Sequence, residues 1–323
     1  MSKTINRRKF LTDISRSSAG IALVNPLAEY EFKGKPEILS YDIMKDVKKY
    51  RKLDSHTHIW NKNEIEMQID FADRLSIEKL QISKPIVNDS GKEPEGPEVV
   101  RECNDLILSA MKQHPDRFIG FFTLNPRYPK ESIEEIKRCV DNGMAGYKGY
   151  TQVKVNDPLY YPIIEKLIDL KMICFMHAEC ELGIAGYRVE KNIAGYRTKY
   201  NILDIQEAPN TTIPEDMVEA ARRYPEAMFH WAHIACGDFE YICKTIKDYP
   251  NIYVDISGSN NDEKHVDFCI EYLGEDRIFF GSDRSYYQAI GKVLASNLTE
   301  TQRKKIFFEN YNNMLRKGGH NVA

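Results

Sequence analysis

No apolar run in the chain approaches the roughly 18 residues that argue for a membrane helix, so no helical span is expected. Lysine and arginine, 45 among 323 residues, are scattered rather than gathered into a stripe, which gives no footprint for nucleic acid. The seven cysteines (Cys103, Cys139, Cys174, Cys180, Cys236, Cys243 and Cys269) are odd in number and form no CxxC pair, which argues against a disulfide framework and a zinc finger. Cys174 and Cys236 fall near the polar residues at the strand ends but read as small buried hydrophobes. No glycine-rich phosphate turn follows an early strand, so a dinucleotide-binding open sheet is disfavoured. The rest is an ordinary soluble globular composition: 42% hydrophobic, 29% charged, formal net charge -3. The length suits one large α/β unit or two small domains.

The first residues stand apart. Asn6-Arg7-Arg8-Lys9-Phe10-Leu11, followed by a small and apolar stretch from Ser17 to Ala28, resembles a twin-arginine export signal, with a disordered basic tail as the alternative. Export to the periplasm is the expected location on the first reading. Either way residues 1–28 are excluded from the fold, 29–50 form an extension, 51–318 the folded domain and 319–323 a tail.

From residue 51 onward short apolar runs alternate with longer amphipathic stretches, the pattern of repeated βα units and a parallel sheet. Eight strands are expected: Lys52–His58, Lys79–Ser83, Phe118–Leu124, Gly143–Gly149, Met172–His177, Met228–His233, Ile252–Ser257 and Arg277–Ser282. Helices are expected over Gly96–His114, Pro129–Asp141, Leu159–Leu170, Pro214–Tyr224, Gly237–Tyr249 and Glu263–Leu273, with two more after the last strand. Eight such units close into a (β/α)₈ TIM barrel, which presents all strand C-termini on one face. The connection 178–213 is long for a compact domain and repeats itself, Ile184–Arg188 recurring as Ile193–Arg197. Two readings stay open: a lid offering Arg188 or Arg197 to an anionic substrate, or an ordinary surface excursion or dimer contact.

Polar residues at the carboxyl ends of barrel strands read as catalytic. In Asp54-Ser55-His56-Thr57-His58 the period of two sends Asp54, His56 and His58 to one side. His177 ends the fifth strand and Asp283 the eighth, although a strand-end aspartate also serves as a helix N-cap. Three imidazoles and a carboxylate suit one divalent ion, zinc first and manganese second, with a position left for water or substrate. On the sixth strand alternation puts His233 in the mouth with Trp231 on its face, and turns His230 toward the surrounding helices as a packed histidine. His233 is then the catalytic candidate, as general acid or base, as a polarising group, or as a ligand of a second metal. Lys148 has three readings: a carbamylated metal bridge, an ammonium for a substrate anion, or a snorkelling barrel lysine. Asp255 is placed to support the site from behind the ligands.

The ordered series Leu53–Trp60, His114–Phe118, Tyr147–Gly149, Met176–His177, Ala232–Gly237, Val254–Gly258, Arg277–Asp283 and Glu309–Asn310 resembles the amidohydrolase superfamily. Within it the series is similar to the amidohydrolase-related branch of aminocarboxymuconate semialdehyde decarboxylase, resorcylate decarboxylases and sugar lactonases. The resemblance implies a single divalent metal on His56, His58, His177 and Asp283, with His233 catalytic. Arg284-Ser285 replaces the branch's usual aromatic-Pro continuation, and Ala235-Cys236 stands where Gly-Gly is common.

Two reactions use these residues. In hydrolysis of a lactone, ester or amide, metal-bound water attacks while Asp283 or His233 moves the proton. In non-oxidative decarboxylation His233 protonates the carbon that has lost carbon dioxide. Hydrolysis is the leading expectation, decarboxylation the alternative, and a non-catalytic binding barrel the third reading. The expected partner is a small, anionic substrate molecule; self-association is left open.

Overall fold

The computed structural model describes residues 42–86, 96–179, 210–236, 238–258 and 264–320. The chain divides into two units, Met1–Ile43 and Met44–Ala323, and every strand belongs to the second. Residues 1–41, with the Arg7-Arg8 segment read as an export signal or a disordered tail, and residues 180–209, with Arg188 and Arg197, lie outside the described residues.

Eight parallel strands run in sequence order: β1 Lys52–His58, β2 Ile77–Ser83, β3 Phe118–Phe122, β4 Gly146–Gly149, β5 Ile173–Met176, β6 Met228–Trp231, β7 Ile252–Asp255 and β8 Ile278–Phe279. Every residue of β1, β4 and β5 is buried, as expected for parallel strands covered on both faces. The sheet curls until its ends meet. Ser55 N–H donates to the Phe280 carbonyl at 2.9 Å and Asp283 N–H to the His56 carbonyl at 2.7 Å, so β1 and the end of β8 close a (β/α)₈ barrel.

After a short helix Ile43–Lys49 that precedes β1, the helices outside the strands are α1 Ile65–Leu75, α2 Pro97–Gln113, α3 Pro129–Asp141, α4 Tyr161–Asp169, α5 Pro214–Arg223, α6 Phe239–Ile246, α7 His265–Leu273 and α8 Tyr286–Ala295. After them come α9 Glu300–Lys304, a π-helical turn Lys305–Glu309 and α10 Asn310–Lys317. None is long and apolar enough to cross a membrane. Helix α2 shows why they form: proline occupies its first position, where no amide bond is lost, and Val100, Cys103, Asn104, Ile107 and Ala110 recur at helical spacing on the buried face. The polar member of that stripe, Asn104, donates to the Thr123 carbonyl and to Glu135 and accepts from Thr123 N–H, tying α2 to the end of β3 and to α3.

Two apolar layers result. One lies between sheet and helices and includes Ile82, Phe122, Tyr147 and Trp231. The other includes Leu53, Phe121, Phe175 and Phe279, joined by Tyr311 of α10.

Two features differ from the sequence expectation. Helix α1 is not among the expected helices, because Gln68 interrupts its buried face of Ile65, Ala72 and Leu75; Gln68 is kept there by donating to the His58 carbonyl and accepting from Tyr286. Strand β6 stops at Trp231, and His233 has a left-handed φ of 39°. The period of two therefore does not run from Trp231 to His233, and the two do not share a face as expected. Trp231 packs in the helix-facing layer, while His230 stacks on Phe175 of the other layer at 3.9 Å. The assignment of His230 to the helix side is thus corrected.

Candidate active site

The seam between β1 and β8 builds the centre. His56 and His58 share a face of β1, and Asp283 reaches them because its left-handed backbone (φ 44°) turns the chain back over the end of β8. His56 Nε2 lies 3.2 Å from His58 Nε2 and 3.7 Å from Asp283 Oδ1; His58 Nε2 lies 3.4 Å from the same oxygen. Among the described residues these three form a group whose ligand atoms all lie within 4.8 Å of one another. The His56 side chain is fully buried and that of Asp283 36% exposed, so the group opens on the carboxylate side.

The backs of both imidazoles are held. His56 Nδ1 sits 3.0 Å from Asp255 Oδ2. His58 Nδ1 sits 3.0 Å from Ser83 Oγ, which is itself 3.2 Å from Tyr150 Oη. Burial works against ionising Asp255, yet its histidine partners His56 and His230 hold it well below the usual carboxylate range. A carboxylate can only accept, so the pairing with Asp255 favours a proton on Nδ1 of His56 and leaves Nε2 facing His58 and Asp283. Two imidazole nitrogens and a carboxylate oxygen so converged, with second partners fixing the rings, fit a divalent metal ion.

His177 and His233 make a second pair. His177 Nδ1 and His233 Nε2 are 3.0 Å apart, and the His233 ring lies over His56 with centroids 5.6 Å apart. His177 does not join the close group of three; its Nε2 faces Glu179 Oε1 at 3.5 Å. His233 Nδ1 is buried with no hydrogen-bond partner among the described residues. Burial, followed by the charges of His177, His56 and Lys148, pushes the His233 pKa well below its ordinary value.

Lys148 points inward from β4. Its Nζ lies 3.5 Å from the Phe175 ring centroid and is buried without a hydrogen-bond partner among the described residues. Burial brings its pKa from 10.5 down to about 7. A snorkelling lysine would show its ammonium to water, and this one is fully buried.

Supporting residues given no role from the sequence are Asp54, placed there only on the side of His56 and His58, and Ser83, Tyr150 and Ser257. Asp54 Oδ1 accepts from the N–H groups of His56 and Ser282, both at 3.0 Å, and so pins the two sides of the seam. Ser257 donates through N–H and Oγ to Asp255 Oδ1. Ser83, Tyr150 and Ser257 are polar residues at or just beyond the ends of β2, β4 and β7, the same signal that found the histidines.

A family model described as Amidohydrolase matches residues 53–310. Among curated proteins, the chain is 27% identical over 139 residues to 2-amino-3-carboxymuconate-6-semialdehyde decarboxylase of Dictyostelium discoideum, covering 42% of this chain and 38% of that protein. It is 29% identical over 107 residues to gamma-resorcylate decarboxylase of Rhodococcus jostii (strain RHA1), covering 30% and 32%. These matches span about a third of the relatives' own length. Among solved structures, a dihydroxybenzoic acid decarboxylase from Polaromonas sp. JS666, with bound manganese and the inhibitor 2-nitroresorcinol, aligns with a TM-score of 0.64 at 17% identity over 83% of this chain and 97% of that one. At that identity the likeness is one of fold.

Proposed function

The chain belongs to the amidohydrolase family, matched over residues 53–310, and on that premise we propose that it is a metal-dependent, non-oxidative decarboxylase of a small conjugated carboxylic acid. The observation that carries the reading is the placement of His233 over His56, beside the His56–His58–Asp283 group: a proton donor stands next to the place where substrate oxygens would be held. Both reactions expected from the sequence use this placement, and the decarboxylase relatives favour the second of them.

His56, His58 and Asp283 would hold one divalent ion, with His177 as the fourth ligand of the set once its ring is released from His233. Zinc and manganese both suit these donors, and the manganese in the Polaromonas neighbour supports the latter. When bound, that ion supplies Lewis-acid polarisation of substrate oxygens. In the reaction the bond to the carboxylate carbon breaks, its electron pair stays on the substrate carbon, and carbon dioxide leaves. His233 gives a proton to that carbon. Burial, with His177, His56 and Lys148 nearby, holds the pKa of the free ring well below its ordinary value; a substrate anion beside it favours the protonated form. Lys148 adds a positive charge on the same side of the barrel and favours an acidic substrate.

The test is carbon dioxide release from 2,6-dihydroxybenzoate and related aromatic and enoic acids by manganese-loaded protein, alongside a panel of lactones and esters. Release that is lost in His233→Ala and on chelation supports the reading. Hydrolysis of a lactone or ester with no carbon dioxide from any acid would replace it with the hydrolytic one.

A further inference from the structure

His230 lies outside the His56–His58–Asp283 group, in surroundings unusual for an imidazole. Its ring is fully buried, stacked on Phe175 at 3.9 Å and 10°, and meets Phe279 edge-on at 5.2 Å. Phenylalanine would fill such an aromatic slot at less cost, because Nδ1 of His230 is buried with no hydrogen-bond partner among the described residues. Its Nε2, by contrast, lies 3.1 Å from Asp255 Oδ2, the same oxygen that faces His56 Nδ1 at 3.0 Å.

We propose that His230 is a positioning residue for the metal: its Nε2–H, with the N–H of His56, saturates Asp255 Oδ2 and fixes the angle at which His56 presents Nε2. The other carboxylate oxygen is already held by His233 N–H and by Ser257 N–H and Oγ. Rotation of the Asp255 carboxylate is therefore opposed at both oxygens, at Oδ2 by His230 and His56 together. Without His230, Oδ2 keeps one partner, and the angle at which it meets His56 Nδ1, which also lies 3.2 Å from Ser257 Oγ, is less restrained. Partners behind a metal ligand typically govern affinity by about 10–100-fold.

The inference rests on the metal reading, and the experiment separates the two. Manganese is titrated into metal-free protein of the native chain, His230→Phe and His230→Gln, with the dissociation constant as readout and thermal unfolding of the metal-free proteins as the control for packing. His230→Phe keeps the aromatic stack and removes the N–H. It is expected to unfold within a few degrees of the native chain and to bind manganese about tenfold more weakly, while His230→Gln, which keeps an N–H donor, recovers part of the loss. Equal manganese affinity in the native chain and His230→Phe overturns the positioning role and leaves the metal reading intact; failure of the native chain to bind manganese overturns both. Should His230→Phe not fold, the imidazole ¹⁵N signals of the native protein decide: His56 protonated on Nδ1 and His230 on Nε2 is expected, and either opposite tautomer overturns the proposal.

Discussion

The backbone N–H of Asp283 donates to the carbonyl of His56 at 2.7 Å, so the hydrogen bond that helps close the barrel also delivers a carboxylate from just beyond its last strand to an imidazole of its first. The same seam thus serves both closure and the site. Further links across it run from Ser55 N–H to the Phe280 carbonyl, from Ser282 N–H to Asp54 Oδ1 and from Ser282 Oγ to the His56 carbonyl.

Asp54 should therefore act on the site through the backbone. Asp54→Ala strands two buried N–H groups, those of His56 and Ser282, and is expected to cost about 2–4 kcal/mol in urea unfolding. Asp54→Asn, whose amide oxygen can accept both, should cost less than half as much. Equal losses in the two variants would mean that these bonds do not hold the seam.

Much of this site was legible because a parallel barrel gathers strand ends on one face, and a polar residue ending a buried apolar run stands out in sequence. His56, His58, His177, His233 and Asp283 are all found that way. Alternation fails at β6, where the strand ends at Trp231 and the left-handed turn at His233 resets the phase; a backbone φ leaves no trace in hydrophobic pattern. Helix α1 is hidden because its buried face carries Gln68, whose partners, the His58 carbonyl and Tyr286, are remote in sequence. The separation of His177 from the close group of three depends on tertiary geometry that spacing does not encode.

Lys148 should destabilise the protein it serves. Between about pH 7, its folded-state value, and 10.5, its ordinary one, the unfolded chain holds a proton that the folded chain does not, so this residue's contribution to stability improves as pH rises through that window. Below about pH 7 the burden is full, on the order of 5 kcal/mol, and at pH 7 it is only slightly smaller. Lys148→Met is expected to raise the melting temperature at pH 7 by about 5–10 °C, by less at pH 10, and to lower turnover. A fall in melting temperature at pH 7 would show that the ammonium is well paired in the folded protein.

Asn104 carries a purely structural load far from the seam. Asn104→Ala removes its bonds to Thr123 and to Glu135 and is expected to cost about 2–3 kcal/mol of stability, with the metal dissociation constant unchanged in the folded protein. Weakened metal binding at temperatures where the variant is fully folded would contradict that independence.

The central claim is that His56, His58 and Asp283 hold a divalent ion, and metal content per chain tests it most directly. Native protein purified without chelator and dialysed against manganese or zinc should retain about one equivalent. Asp283→Asn and His58→Ala, folded by circular dichroism, should retain far less, their affinity falling by more than the roughly 10–100-fold typical of outer partners. Native protein that retains no ion, or variants that retain it as well as the native chain, would contradict the account.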